Sequence, residues 1–311
     1  MDLSVVENIL WVGFRSATPL LLASLGEIYA ERSGILNLGV EGMMIMGAVS
    51  AFITALSTGN PWLGVAVATV VGILMSLIHG VISIHLRGNQ VVSGLALTMF
   101  GLGLSSVIGR KYVGYQLPVK ARFLPKPLSE GLVKLPIVGK ALFDQEPLFY
   151  LSIVTAIILW FVLYKTKIGV IIRSTGENPA AADALGINVY LVRYACTALG
   201  GALAGIAGAY LSVAYSPAWI ENMTAGRGWI ALALTIFALW NPLRAIFGAY
   251  LFGVVEAGGY TLQAYGYSQW LLNGVPYLLT VIVLTAGATE TMRRRMGAPA
   301  ALGVPYVRGE K

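Results

Sequence analysis

At 311 residues the chain has room for two soluble domains, but 57% hydrophobic residues, 11% charged residues and a mean hydropathy of +0.76 lie outside soluble composition. A single cysteine, Cys196, inside an apolar run excludes a disulfide scaffold and argues against zinc or iron–sulfur centres, so no metal site is expected. The net charge of +7 would point to nucleic acid in a soluble protein. In a membrane protein, loop bases set orientation, and the charge is read here as topology.

Taken in order, the apolar stretches predict an all-α, polytopic transmembrane bundle of about 8–10 spans. They fall at 9–30, 37–57, 62–86, 90–108, 148–165, 190–214, 228–240, 244–262 and 272–288. A β-barrel is excluded because Val65 to Ile82 is nearly continuously apolar rather than alternating. The start does not read as a cleaved signal, since Asp2 and Glu7 precede the first span and no small-residue cleavage site follows. As one helix, 228–262 would be about 50 Å long against a hydrocarbon core of about 30 Å. Trp240-Asn241-Pro242 supplies the break.

Two basic segments then fall on opposite sides of the membrane. The loop 109–147 carries Arg110, Lys111, Lys120, Arg122, Lys126, Lys134 and Lys140, and the C-terminal tail carries Arg293, Arg294, Arg295, Arg308 and Lys311. The Arg triplet directly abuts a span, which places the tail inside. The loop, punctuated by Pro118, Pro125, Pro127 and Pro136, reads as a small folded excursion outside, and 166–189 is then cytoplasmic. Gly200, Gly201, Ala204, Gly205, Gly208 and Ala209 predict close helix packing.

Within 166–189, Asn178 is a good N-cap, Pro179 suits the first helical position, Ala180 to Ala182 favour helix and Gly186 suits the left-handed C′ position. A helix over 178–185 is too short to stand alone in water and needs a surface: the membrane, the rest of the chain or a partner. With neither a basic face nor bulky aromatics, membrane docking is disfavoured and a partner is favoured.

At this point three segments carry a resemblance. Arg32-Ser33-Gly34-Ile35-Leu36-Asn37-Leu38-Gly39-Val40-Glu41-Gly42, Gly176-Glu177-Asn178-Pro179 with Gly186-Ile187-Asn188-Val189, and Glu221-Asn222-Met223-Thr224-Ala225-Gly226-Arg227-Gly228-Trp229-Ile230-Ala231 resemble the permeases of ABC importers for nucleosides and simple sugars, within the branched-chain amino-acid/ribose permease superfamily. The similarity runs from about residue 15 to 288, and Leu36 to Gly42 looks like the nucleoside-type branch. Gln90 stands where many relatives carry Glu.

The resemblance implies a transmembrane permease domain over 1–288 and a cytoplasmic tail over 289–311, in a bacterial or archaeal cell membrane. It implies that Gly176, Glu177, Asn178, Pro179, Ala181, Asp183 and Gly186 belong to a coupling loop resting on a cytoplasmic ATP-binding subunit. It also implies a second permease subunit, a paralogue or a second copy, and an external substrate-binding lipoprotein. No catalytic set and no Gly-x-x-x-x-Gly-Lys-Ser/Thr occurs, so no cofactor is expected on this chain, with ATP and Mg on the partner. His79 and His85 read as helix-end or interface residues.

Polar residues within spans are the remaining clue, because an ionisable group at the bilayer centre costs roughly 2.5–3.5 kcal/mol on insertion scales. Asn37, Glu41, Asn89, Gln90 and Glu256 are the substrate-pathway candidates, Glu41 serving either the path or a bend at Gly39 and Gly42. Glu27 is expected to pair with Arg32, and Trp219 and Trp229 to be interface anchors or stacking platforms. The competing reading is a stand-alone ion-coupled secondary transporter, which would use intramembrane acids as coupling sites.

Overall fold

The structure, a computed structural model, describes residues 3–263, isolated residues between 266 and 285, and residues 297–308. Its elements, in order, begin with α1 (Leu3–Arg32), α2 (Val40–Thr58), α3 (Pro61–Gly80) with a π-helical extension Val81–His85, and α4 (Gln90–Gly109). Short pieces follow: β1 (Lys126–Pro127), α5 (Glu130–Val133), α6 (Gly139–Phe143) and β2 (Asp144–Gln145). Next come α7 (Pro147–Lys165), α8 (Lys167–Glu177), α9 (Pro179–Ala184), α10 (Val189–Tyr210) with a π-helical extension Leu211–Tyr215, α11 (Arg227–Phe237) and α12 (Pro242–Gln263). Among the described residues, 7 helices are long and apolar enough to cross a membrane. The expected span 272–288 lies largely outside the described residues, as do Arg293, Arg294, Arg295 and Lys311.

The segment 109–147 caps one end of the bundle, called upper here, and 166–189 lies at the other, lower end. The expected small fold is present: β1 pairs antiparallel with β2, Ile137 N donates to Glu7 Oε1 at 3.0 Å, and Trp11 Nε1 donates to the Asp144 carbonyl at 2.8 Å.

One expected span needs correction. In place of a full helix over 228–240, α11 has 11 residues, about 16 Å of rise and half a hydrocarbon core. The crossing is completed by irregular chain. Residues 216–226 start at the upper end, where Leu117 N donates to the Pro217 carbonyl at 2.9 Å and Trp219 N to the Tyr115 carbonyl at 3.2 Å. They then descend to the start of α11, and Arg32 Nη2 meets the Leu239 carbonyl at 3.2 Å at the lower end. Non-helical backbone at this depth is tolerable where protein satisfies its polar groups, as Glu41 does for Gly226 N, although Ile220, Glu221 and Asn222 keep exposed positions on the segment. The crossing therefore survives without a full helix, and Leu239 and Trp240, both at φ 53°, form the expected break before Pro242.

The chain also repeats itself upside down. α1, an irregular segment 33–39, α2 and the Asn60-Pro61 start of α3 are matched by α10, the irregular 216–226, α11 and the Asn241-Pro242 start of α12. α1 and α10 run antiparallel and touch backbone to backbone at Gly26 and Gly200. α10 packs on α3 at Gly201 and Gly72, while α1 packs on α12 at Gly13 and Gly253. A Cβ at Gly208 would collide with the Met44 carbonyl, so the small-residue face of α10 is what lets α1, α2 and α3 all approach it. α1, α2 and α10 form the interior, whereas α3, α4, α7 and α12 keep exposed apolar faces, with Leu74, Met99, Phe161 and Phe247 outward.

Candidate functional site

The lower end is built around α9. Asn178 Oδ1 accepts from Ala181 N at 2.9 Å, capping the helix, and Pro179 occupies the first position, where its missing N–H costs nothing. At the other end Gly186 takes φ +83°, with Gly186 N to the Asp183 carbonyl at 2.9 Å and Ile187 N to the Ala182 carbonyl at 3.1 Å. This is a Schellman termination that only a residue tolerant of positive φ closes without strain. One face of α9 rests on the rest of the chain: Ala182 is buried with Val189 and Tyr306. The opposite face, Ala180, Ala181, Ala184 and Leu185, is open, Leu185 being 81% exposed. A small-residue surface ending in one bare leucine is suited to lie in a partner's groove.

The other coupling candidates sit around this helix. Gly176 is buried against the Arg32 carbonyl with no room for a Cβ. Glu177 is exposed and accepts from Ala300 N at 3.3 Å, and Asp183 is engaged by Arg308 Nε at 3.2 Å.

The pathway candidates separate into several environments. The irregular segment 33–39 is clamped on both sides of Leu36. Gln90 Oε1 accepts from Leu36 N at 2.7 Å, and His79 Nε2 donates to the Leu36 carbonyl at 3.1 Å. Asn37, fully buried, donates to Glu27 Oε1 at 3.0 Å and accepts from Gly39 N at 3.0 Å. Asn89 is exposed at the start of α4, capping Val92 N at 3.1 Å. With Gln90, Leu36, Arg87 and Pro305 it lines a lower-end cavity of about 340 Å³.

Glu41 lies in the first turn of α2, deep in the bundle. Its carboxylate accepts from Thr224 Oγ1 at 2.6 Å, Gly226 N at 2.8 Å and Gly228 N at 2.6 Å. An anion thus sits on the N-terminus of the half-helix α11, where orphan N–H groups and the helix dipole favour it. Gly228 must be glycine, because a Cβ there would meet Glu41 Cα at 2.7 Å.

Glu256, in α12, accepts from Ser16 Oγ and Arg227 Nη2, and from Tyr260 OH at 3.2 Å. A second buried ion pair joins Arg15 to Glu146. The Tyr215 ring lies between the two arginines, 5.8 Å from the Arg15 guanidinium and 5.6 Å from that of Arg227. Each buried charge here has an opposite partner, the condition for tolerating it at such depth.

Two sequence expectations are corrected by this geometry. Glu27 does not pair with Arg32, because five residues along a helix is about 140° around it; Arg32 bonds the Trp240 and Leu239 carbonyls instead. Trp219 is neither anchor nor platform: it is fully buried against Gly109, in the gap left by a missing side chain. His79 stands in the last turn of α3, at a helix end as expected, and is buried there as the clamp on Leu36. Arg15 and Glu146 were not legible as site residues, since neither shows in the sequence a partner that packing alone brings to it.

Comparison with known proteins bears on the whole chain. Residues 9–284 match the model of a family described as the permease component of branched-chain amino acid transport systems. The chain belongs to that family. A Haloferax volcanii protein bearing the name of a glucose ABC transporter permease is 37% identical over 98% of this chain and 99% of its own. The guanosine ABC transporter permease of Bacillus subtilis is 35% identical over 95% of each. In fold, the permease is similar to a solved inward-facing ABC transporter assigned to the metal-chelate type, with a TM-score of 0.53 and 15% identity, covering 90% of this chain and 85% of that one. The permease is therefore a multi-pass membrane protein and the transmembrane subunit of an ABC importer.

Proposed function

We propose that the permease passes a nucleoside or a related simple sugar across a bacterial or archaeal cell membrane. It does so through a path shared with a second permease subunit, a paralogue or a second copy. The observation that carries this reading is the open face of α9, Ala180, Ala181, Ala184 and Leu185, held at the lower end by capped termini. That end is cytoplasmic and receives an ATP-binding subunit, which binds ATP and Mg and does the hydrolysis; the upper end faces an external binding lipoprotein. The identities to permeases named for guanosine and for glucose support the solute class.

Solute leaves by the lower-end cavity, where the exposed Asn89 amide offers an uncharged donor suited to hydroxyls and base edges and Gln90 shapes the wall with its oxygen held on Leu36 N. Gln90→Ala should lower uptake while the protein still assembles. Unchanged kinetics across a panel of nucleosides and sugars would remove both residues from the path. An ion-coupled carrier is disfavoured because Glu41 is held by Thr224 and the α11 N–H groups, Glu146 by Arg15, and Glu256 by Arg227.

A further inference from the structure

Besides placing Pro305 in the wall of the lower-end cavity, the segment 297–308 is tied to several elements at the lower end. Arg32 Nη1 donates to the Gly297 carbonyl at 2.9 Å, Ala301 N to the Gly176 carbonyl at 2.9 Å, and Gly303 N to the Gly34 carbonyl at 3.1 Å. Arg193 Nη1 donates to the Val304 carbonyl at 3.2 Å. Tyr306 is buried against Ala182 and Val189 with its ring 5.8 Å from that of Tyr190, and Arg308 reaches Asp183. The segment therefore bridges the end of α1, the end of α8, the start of α10 and α9.

Two physical points give this bridge a role beyond packing. First, α9 has 6 residues, far below the length at which a helix holds itself in water. Its covered face rests in part on Tyr306, so the tail supplies a share of the surface it needs. Second, Arg193 is fully buried, and its hydrogen bonds go to the Ser33 and Val304 carbonyls rather than to a carboxylate. A buried cation requires such acceptors, so the tail helps satisfy the residue that joins α10 to the end of α1.

We propose that residues 297–308 form a strap that fixes the angle of α9 against α1 and α10, with Tyr306 as a positioning residue. Movement of the ATP-binding subunit then passes to the spans instead of being lost in a loose loop. This rests on α9 being the docking element, and the test separates the two.

The test uses the complete reconstituted transporter with Tyr306→Ala, Tyr306→Phe and, as the docking-face reference, Leu185→Glu. Tyr306→Ala should leave the membrane-inserted amount and basal ATP hydrolysis near wild type. It should speed amide exchange over residues 181–187 about tenfold, the factor that roughly 1.4 kcal/mol corresponds to. ATP consumed per solute taken up should rise several-fold, and Tyr306→Phe, which keeps the ring and loses only the hydroxyl beside Asp183, should lie much nearer wild type than Tyr306→Ala. Unchanged exchange in Tyr306→Ala, or equal damage from Tyr306→Phe, overturns the strap. So does normal coupling in Tyr306→Ala when Leu185→Glu is uncoupled. If both couple normally despite faster exchange, α9 is not the docking element and the proposal falls with that reading.

Discussion

Glu41 offers the sharpest single perturbation, because its carboxylate satisfies Thr224 Oγ1, Gly226 N and Gly228 N at the start of α11. Glu41→Ala removes the acceptor and leaves these donors without it in a site where Glu41 is only 3% exposed. A hydrogen bond to a charged group contributes about 1.5–3 kcal/mol, bonds sharing one acceptor are not additive, and within membranes the values run lower. Loss of the helix-dipole contact adds up to about 1–2 kcal/mol. A total of about 3–5 kcal/mol follows, seen as a fall in Tm on the order of 10 °C for the detergent-solubilised protein. Glu41→Gln keeps one oxygen but turns an amide toward N–H donors, so it should lie between the two. If Glu41→Ala melts with the wild type and only uptake is lost, the carboxylate belongs to the solute path and the capping argument is wrong.

Further expectations follow from the same geometry. Leu185→Glu places a charge on an 81% exposed position, so stability should hold within about 0.5 kcal/mol while substrate-stimulated ATP hydrolysis is lost; wild-type coupling would contradict the docking face. Gly208→Ala sets a methyl against the Met44 carbonyl and should sharply reduce monodisperse protein in fluorescence-detected size exclusion, at a cost of about 1–3 kcal/mol or more. Single cysteines at Lys126 and Ala181 in a Cys196→Ala background should label from opposite faces with an impermeant thiol reagent. Labelling of position 181 but not 126 in intact spheroplasts would invert the assignment of the two ends.

Much of this architecture was legible because bilayer thickness and backbone hydrogen bonding leave few options. The spans, the glycine face of α10, the Pro242 break and both termini of α9 all rest on local rules, and local rules are visible in one sequence. Residues 228–240 misled because apolar composition is the same for a half-helix and a full one. The difference lies in Glu41, some 185 residues away in sequence from Gly226, which caps the shortened helix. The partners of Arg193, Arg15 and Glu256 were invisible for the same reason: each is set by packing between distant elements. Asp183 showed itself as a charge on the coupling loop, but not that Arg308 from the tail would reach it.

The central claim is that this chain imports a nucleoside or sugar only when a separate ATPase drives it. Its most direct test is uptake of labelled nucleosides and sugars into proteoliposomes holding the permease pair and the ATP-binding subunit, with the external binding protein added. The account predicts uptake that requires enclosed or accessible ATP on the α9 side and the binding protein on the other, and none from this chain alone under an ion gradient. Uptake by the chain alone, driven by a proton or sodium gradient and indifferent to ATP, would contradict it.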